Sequence, residues 1–188
     1  METVVVYYSY SGNNDFLAKE IGERFGCDIV QLEEQKKRSG LTIALDLLFK
    51  RDSKLKDPDV HLNDYETIIF IAPIWDAKIA TPLSSYLKKE RENINSYAFI
   101  TVCGGRPDQK QKITDQLQRL IGKKAIAVTE LAVNELLPPE KKNKIEYVTP
   151  YRIKDNDFDV FKTTIQNFVN TVFRYSVNHA EERVLMKM

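Results

Sequence analysis

Cysteine is scarce in this chain: Cys27 and Cys103 are the only two among 188 residues. Two thiols cannot build a disulfide framework, and neither they nor His61 and His179 show metal-ligand spacing, so no metal site is expected. A reduced, cytoplasmic protein is the reading this favours. No apolar run reaches the roughly 18 residues that a membrane helix needs. The first residues lack the basic stretch, apolar run and small-residue cleavage site of a secretion signal. An excess of one charge is missing as well, since 28 Lys+Arg stand against 27 Asp+Glu for a formal net charge of +1. That balance excludes the basic surplus of a general nucleic-acid binder and the acidic surplus of a solvating tail. With 43% hydrophobic residues the chain can bury a sizeable core, and we expect one domain over residues 1–188, with a terminal tail from about residue 174.

What is present is an alternation of two patterns. Val4-Val5-Val6-Tyr7-Tyr8 is β-branched and aromatic without a polar break, as a strand covered on both faces requires. Phe16, Leu17, Ile21 and Phe25 then fall at helical spacing, with Gly26 placed to end the helix. A short strand over residues 28–32 follows, and residues 41–49 are apolar enough for a further helix. Residues 50–63 are charged and read as a loop. Thr67-Ile68-Ile69-Phe70-Ile71-Ala72 is the clearest buried strand, and Thr81-Pro82 opens a helix with Leu83, Tyr86 and Leu87 inward. Residues 97–102 form a strand. Ile113, Leu117, Leu120 and Ile121 mark a helix closed by Gly122, and residues 125–133 form the last strand. Residues 134–157, with Pro138, Pro139 and Pro150, read as a solvated connection, with a lid or partner surface as the alternative, before a final helix carrying Phe158, Phe161, Ile165, Phe168, Val169, Val172 and Phe173. The apolar run Val184-Leu185-Met186 offers a contact for a second copy, as in a homodimer, or frays as termini do.

Strands alternating with helices predict an α/β fold: a doubly wound, five-stranded parallel sheet covered on both faces. Ligands of such sheets bind at the carboxyl ends of the strands, so the loops after the first, third and fourth strands are the candidates. In the first, Ser9, Tyr10, Ser11, Gly12, Asn13 and Asn14 combine side-chain donors, one glycine and the start of a helix. Free N–H groups and the positive dipole end would cradle a phosphate without lysine or arginine; a plain polar turn with a helix cap uses the same residues. It is neither a Walker loop nor a dinucleotide fingerprint. In the second, Pro73, Ile74, Trp75 and Asp76 carry the only tryptophan, a stacking surface or a rim aromatic. In the third, Cys103, Gly104 and Gly105 precede Arg106. Without a recognisable histidine partner, Cys103 reads as a small buried thiol rather than a nucleophile.

Taken in order, these three loops resemble those of the flavodoxin family. Tyr8-Ser9-Tyr10-Ser11-Gly12-Asn13-Asn14 is similar to its phosphate loop, Ala72-Pro73-Ile74-Trp75 to its loop with an aromatic against the flavin, and Thr101-Val102-Cys103-Gly104-Gly105 to its third loop. The resemblance implies a flavodoxin-like fold and an FMN cofactor, with the ring against Trp75 and the third-loop backbone at its pyrimidine side. Arg106 would then reach a flavin edge or stand in solvent. Four features depart from the pattern: Asn14 replaces a hydroxyl residue, Asp15 brings a carboxylate to the helix start, no glycine follows Trp75, and the third loop supplies no second aromatic. The implied job is electron transfer with a redox partner protein, or FMN-dependent reduction of a quinone-like acceptor using a nicotinamide cofactor. A non-redox binding or scaffold domain that has lost FMN is the alternative. Electron-shuttling flavodoxins are typically acidic, so a net charge of +1 favours the oxidoreductase or a divergent relative over the simple carrier.

Overall fold

The computed structural model describes residues 2–36 and 52–185. The helix expected over residues 41–49 lies outside the described residues, as do the side chains of Val184-Leu185-Met186. In chain order the elements are β1 (Thr3–Tyr7), α1 (Asn13–Phe25), β2 (Asp28–Gln31), β3 (Thr67–Ile71), β4 (Ile74–Trp75), β5 (Lys78–Ile79), α2 (Thr81–Glu90), β6 (Ser96–Cys103), α3 (Gln109–Ile121), β7 (Val128–Ala132), α4 (Val133–Leu136), α5 (Ile145–Val148) and α6 (Asp157–Leu185). Three short 3₁₀ turns also occur among the described residues.

The expected five-stranded sheet is present, in the order β2-β1-β3-β6-β7, with every pairing parallel. Its three central strands, β1, β3 and β6, are apolar on both sides because both sides are covered. Val5, Tyr7, Ile69, Ile71, Ala98, Ile100 and Val102 face α1 and α6. Val4, Val6, Ile68, Phe70, Tyr97 and Phe99 face α2 and α3. The period of two along each strand sends alternate residues to opposite cores, so an unbroken apolar run is what this position demands. Each large side chain removed from water here contributes roughly 1.5–3 kcal/mol.

Going from β1, the chain first adds β2 on one side and then returns to place β3 on the other. The connections therefore diverge at the carboxyl ends of β1 and β3, which opens a crevice there. Two buried side chain–backbone links hold the rim of that crevice. Thr101 Oγ1 donates to the carbonyl of Ala72 at 2.7 Å, tying the end of β6 to that of β3. The Asn14 amide spans the N–H and C=O of Val102, tying α1 to β6.

Three parts of the chain differ from expectation. The last strand is shorter, Val128–Ala132 rather than residues 125–133. The final helix does not stop near Phe173 but continues to Leu185. It passes through Ser176, a buried residue whose hydroxyl bonds the carbonyl of Val172 and the Thr67 hydroxyl, so a polar residue sits on the packed face. Residues 134–157 are not a solvated connection but include α5 and fold back onto the crevice. No helix among the described residues is long and apolar enough to cross a membrane.

Candidate functional site

A cavity of about 800 Å³ opens at the carboxyl ends of β1, β3 and β6. Of the residues singled out in the sequence, Tyr10, Ser11, Asn13, Pro73, Ile74, Trp75, Asp76, Cys103 and Gly104 line it. Ser9, Gly12, Asn14 and Gly105 stand behind that lining and shape it.

The first loop is a tight turn into α1. The Gly12 N–H donates to Ser9 Oγ at 3.2 Å, and the Gly12 carbonyl accepts from the N–H of Phe16 at 3.0 Å. Gly12 sits at φ 95°, with open space where a side chain would project. A left-handed residue at this point turns the first N–H groups of α1 toward the cavity end, and glycine takes that conformation without strain. The amides of both asparagines bond the backbone. Asn13 Nδ2 donates to the carbonyl of Tyr151 at 3.0 Å, and its Oδ1 accepts from the N–H of Ile153 at 3.1 Å. Asn14 is buried on Val102, as described above. What the loop offers an anion is therefore its main-chain N–H groups and the Ser11 hydroxyl.

Asp15 does not face the cavity. Its carboxylate accepts from the Tyr7 hydroxyl and pairs with Lys19 Nζ at 2.9 Å. The bond from Tyr7 and that ion pair hold its pKa below the usual carboxylate value, so the charge persists but points away from the crevice. Burial, reinforced by the Asp15 carboxylate, pushes the Tyr7 phenol well above its ordinary range.

The second loop is a two-stranded ribbon in which Ile74 pairs with Ile79 and Trp75 with Lys78. Its turn residues, Asp76 and Ala77, both lie in the left-handed region at φ 48° and 53°. This is the turn that strand twist favours, and it normally selects Asn-Gly, which is why the sequence did not announce it. Replacing Ala77 with glycine removes the penalty of a side chain there. We expect Ala77→Gly to stabilise the protein by roughly 0.5–1 kcal/mol, seen as a higher urea midpoint at unchanged m. An unmoved or lower midpoint would refute a left-handed Ala77. Trp75 is held edge-on by Tyr8 and Tyr10, at centroid distances of 6.1 and 6.0 Å and interplanar angles of 89°. Two perpendicular rings fix the indole, which stands in the lining of the cavity.

The third loop brings Cys103 and Gly104 to the cavity. Burial, with Glu130 adding to it, pushes the Cys103 thiol up to about 12, while Gln109 Nε2 bridges Cys103 Sγ and Glu130 Oε1 at 3.2 and 2.7 Å. Burial and that bridge disfavour the thiolate that a nucleophile needs. Arg106 is solvent-exposed and pairs there with Asp76 at 3.2 Å, linking the second and third loops across the mouth.

The fourth wall comes from the segment that reads in the sequence as a solvated connection or a lid. Val133, Asn134, Asn143, Ile145, Val148, Thr149 and Arg152 line the cavity too. Asn134 clamps this segment: its Nδ2 donates to the carbonyl of Gly105 at 3.0 Å and to Asn143 Oδ1 at 2.9 Å, while the Asn143 N–H donates to Asn134 Oδ1. Asn13 clamps the far end. The result is an apolar slot bounded by Ile74, Trp75, Val102, Gly104 and Val148, with a hydrogen-bonding end at α1. That shape suits a flat aromatic ligand bearing an anionic tail.

No protein-family model matches the chain, and no curated protein sequence does. Solved structures do. A flavoprotein of Lactobacillus acidophilus, crystallised in complex with FMN, superposes at a TM-score of 0.58 with 19% identity, over 76% of this chain and 99% of that one. Proteins of Bacteroides uniformis and Bacteroides eggerthii, also named as flavoproteins, superpose at 0.60 and 0.59 with 17% and 12% identity. They cover 70% of this chain in each case, and 90% and 87% of their own. The chain has the flavodoxin-like fold. Its parallel strand order and its crevice between β1 and β3 are those of that fold, and this flavodoxin-like chain carries its cavity where the fold places ligands.

Proposed function

We propose that this chain binds FMN in the crevice and acts as an FMN-dependent oxidoreductase. The observation that carries the reading is the convergence of three loops and the α1 N-terminus on one cavity with Trp75 in its wall. The donor set fits the cofactor: main-chain N–H groups and the Ser11 hydroxyl for the phosphate, Trp75 and Ile74 for the ring, and the backbone around Gly104 for the polar ring edge. When bound, FMN would supply the exchange of one or two electrons, while the protein supplies orientation and local charge. Arg106 and Asp76 put a paired cation and anion at the mouth, so the nearest fixed charges to the ring largely offset each other.

Two features favour an enzyme over a carrier. The near-zero net charge lacks the acidic surface by which a shuttle steers to basic partners. The fourth wall also encloses the ring on a further side, giving a small acceptor such as a quinone a place to sit beside it. A nicotinamide cofactor is the donor this reading requires.

FMN titration followed by flavin and Trp75 fluorescence tests the binding. Quenching of both signals on mixing is expected, with Trp75→Ala weakening affinity on the order of tenfold to a hundredfold through loss of its stacking area. Unchanged fluorescence at any FMN concentration would instead favour a binding domain without flavin. With FMN bound, anaerobic NADH or NADPH should bleach the flavin without a partner reductase; a carrier would stay yellow.

A further inference from the structure

Arg152 occupies a place that the first loop alone does not explain. It lines the same cavity as Ser11 and Asn13. Its Nη1 donates to the carbonyl of Tyr151 at 3.0 Å, and Asn13 Nδ2 donates to that same oxygen, also at 3.0 Å. One carbonyl thus holds the guanidinium beside the first residue of α1. A second bond, to the carbonyl of Thr149 at 3.3 Å, anchors Nη1 from the other side. The guanidinium carries five N–H donors, so these two backbone contacts leave donors over for a ligand. Asn13 Oδ1 meanwhile accepts from the N–H of Ile153, which locks the backbone on both flanks of Arg152 to the loop.

Resting on the FMN reading above, we propose that Arg152 is a specificity-determining residue that contacts the phosphate of the bound flavin and selects phosphorylated over unphosphorylated flavin. The main-chain cradle of α1 provides directed N–H groups and a fractional positive charge that falls off within the first turn. Arg152 adds a full charge at the same end, with planar donors matched to phosphate oxygens. The cation comes from a segment some 140 residues beyond the loop in sequence, and the Asn13 amide is what couples them. Asn13 is a positioning residue in this scheme. Asp15, the carboxylate that would oppose a phosphate here, is turned toward Tyr7 and Lys19.

The test compares FMN with riboflavin, which share the ring and differ in the phosphate. Dissociation constants for both are measured by flavin fluorescence with the full chain and with Arg152→Gln and Arg152→Lys. Arg152→Gln should weaken FMN on the order of tenfold and leave riboflavin unmoved, and the FMN affinity of the full chain should fall more steeply with salt than that of the variant. Arg152→Lys, keeping the charge without the fork, should recover part of the loss. An equal loss for both flavins would assign Arg152 a merely structural role and overturn the proposal, as would no loss for either. If the unaltered chain binds neither flavin, the FMN reading itself falls, an outcome distinct from a variant that binds FMN as tightly as the parent.

Discussion

Asn14→Ala lowers stability by roughly 2–5 kcal/mol, a large share of the 5–15 kcal/mol that holds a domain folded. Asn14 is 2% exposed, and its amide satisfies both the N–H and the C=O of Val102, at 2.9 and 3.2 Å. Truncation removes both partners at once: the buried Val102 N–H loses its acceptor, and the Val102 carbonyl keeps only the Thr101 hydroxyl at 3.2 Å, whose single proton the Ala72 carbonyl takes at 2.7 Å. Each orphaned group costs about 1–3 kcal/mol, well above the modest net gain of an ordinary hydrogen bond. Asn14→Asp serves no better, because it keeps an acceptor for the N–H of Val102 but loses the donor and buries a charge. Asn13→Ala is the control. Its amide makes the same two kinds of bond, but in a half-buried setting where water can replace them, so its loss should stay within roughly 1.5 kcal/mol. Urea denaturation of the three variants measures the differences. Equal losses for Asn13→Ala and Asn14→Ala would show that burial does not decide the matter. A loss under about 0.5 kcal/mol for Asn14→Ala would show that the Val102 groups find other partners.

That pair of residues shows where sequence reading stops. Both asparagines stood in a loop of the right composition at the end of a legible strand, and an amide there can serve a ligand or the backbone equally well. Which it serves depends on Val102, Tyr151 and Ile153, residues that come close only once the sheet has formed. The strands themselves were legible because burial on both faces leaves an unbroken apolar run, and three of the four walls follow from them. The β4–β5 ribbon was hidden by Asp76 and Ala77, which fill a turn that usually announces itself with Asn-Gly. The fourth wall was left undecided by its composition, which suits a lid and favours a solvated connection. Prolines and the lysines at positions 141, 142 and 144 read as solvated loop, while the contacts that fold it inward run through Asn134 to Gly105 and through Asn13 to Tyr151. The last strand differs least: Ile126 and Ala127 already exchange backbone bonds with Tyr97 and Phe99 of β6, and the regular strand begins just after them at Val128.

Gly105→Ala lowers stability by roughly 2–4 kcal/mol, for two separable reasons. The residue sits at φ 80°, a left-handed conformation in which an L side chain costs about 1–2 kcal/mol. A Cβ there would also lie 2.5 Å from the Cβ of Ala132 and 3.4 Å from its Cα. Ala132 ends β7 and has no flexible side chain to swing aside, so backbone must move, at about 1–3 kcal/mol for overpacking of this kind. The displaced loop would strain the bond from Asn134 to the Gly105 carbonyl, which closes the fourth wall, and FMN affinity should drop with stability. The companion Gly105→Ala/Ala132→Gly variant separates the two causes: it clears the contact and leaves the backbone conformation. About half of the lost stability should return, corrected for the effect of Ala132→Gly alone. Complete recovery would mean that the left-handed conformation carries no penalty; no recovery would mean that the contact with Ala132 is not what excludes a side chain. Gly12→Ala isolates the other limit, since its left-handed φ faces open space, and its loss should therefore stay near 1 kcal/mol. The order Gly105 above Gly12 is what close packing of the third loop on β7 requires, and thermal or urea denaturation reading the reverse would place the tight contact elsewhere.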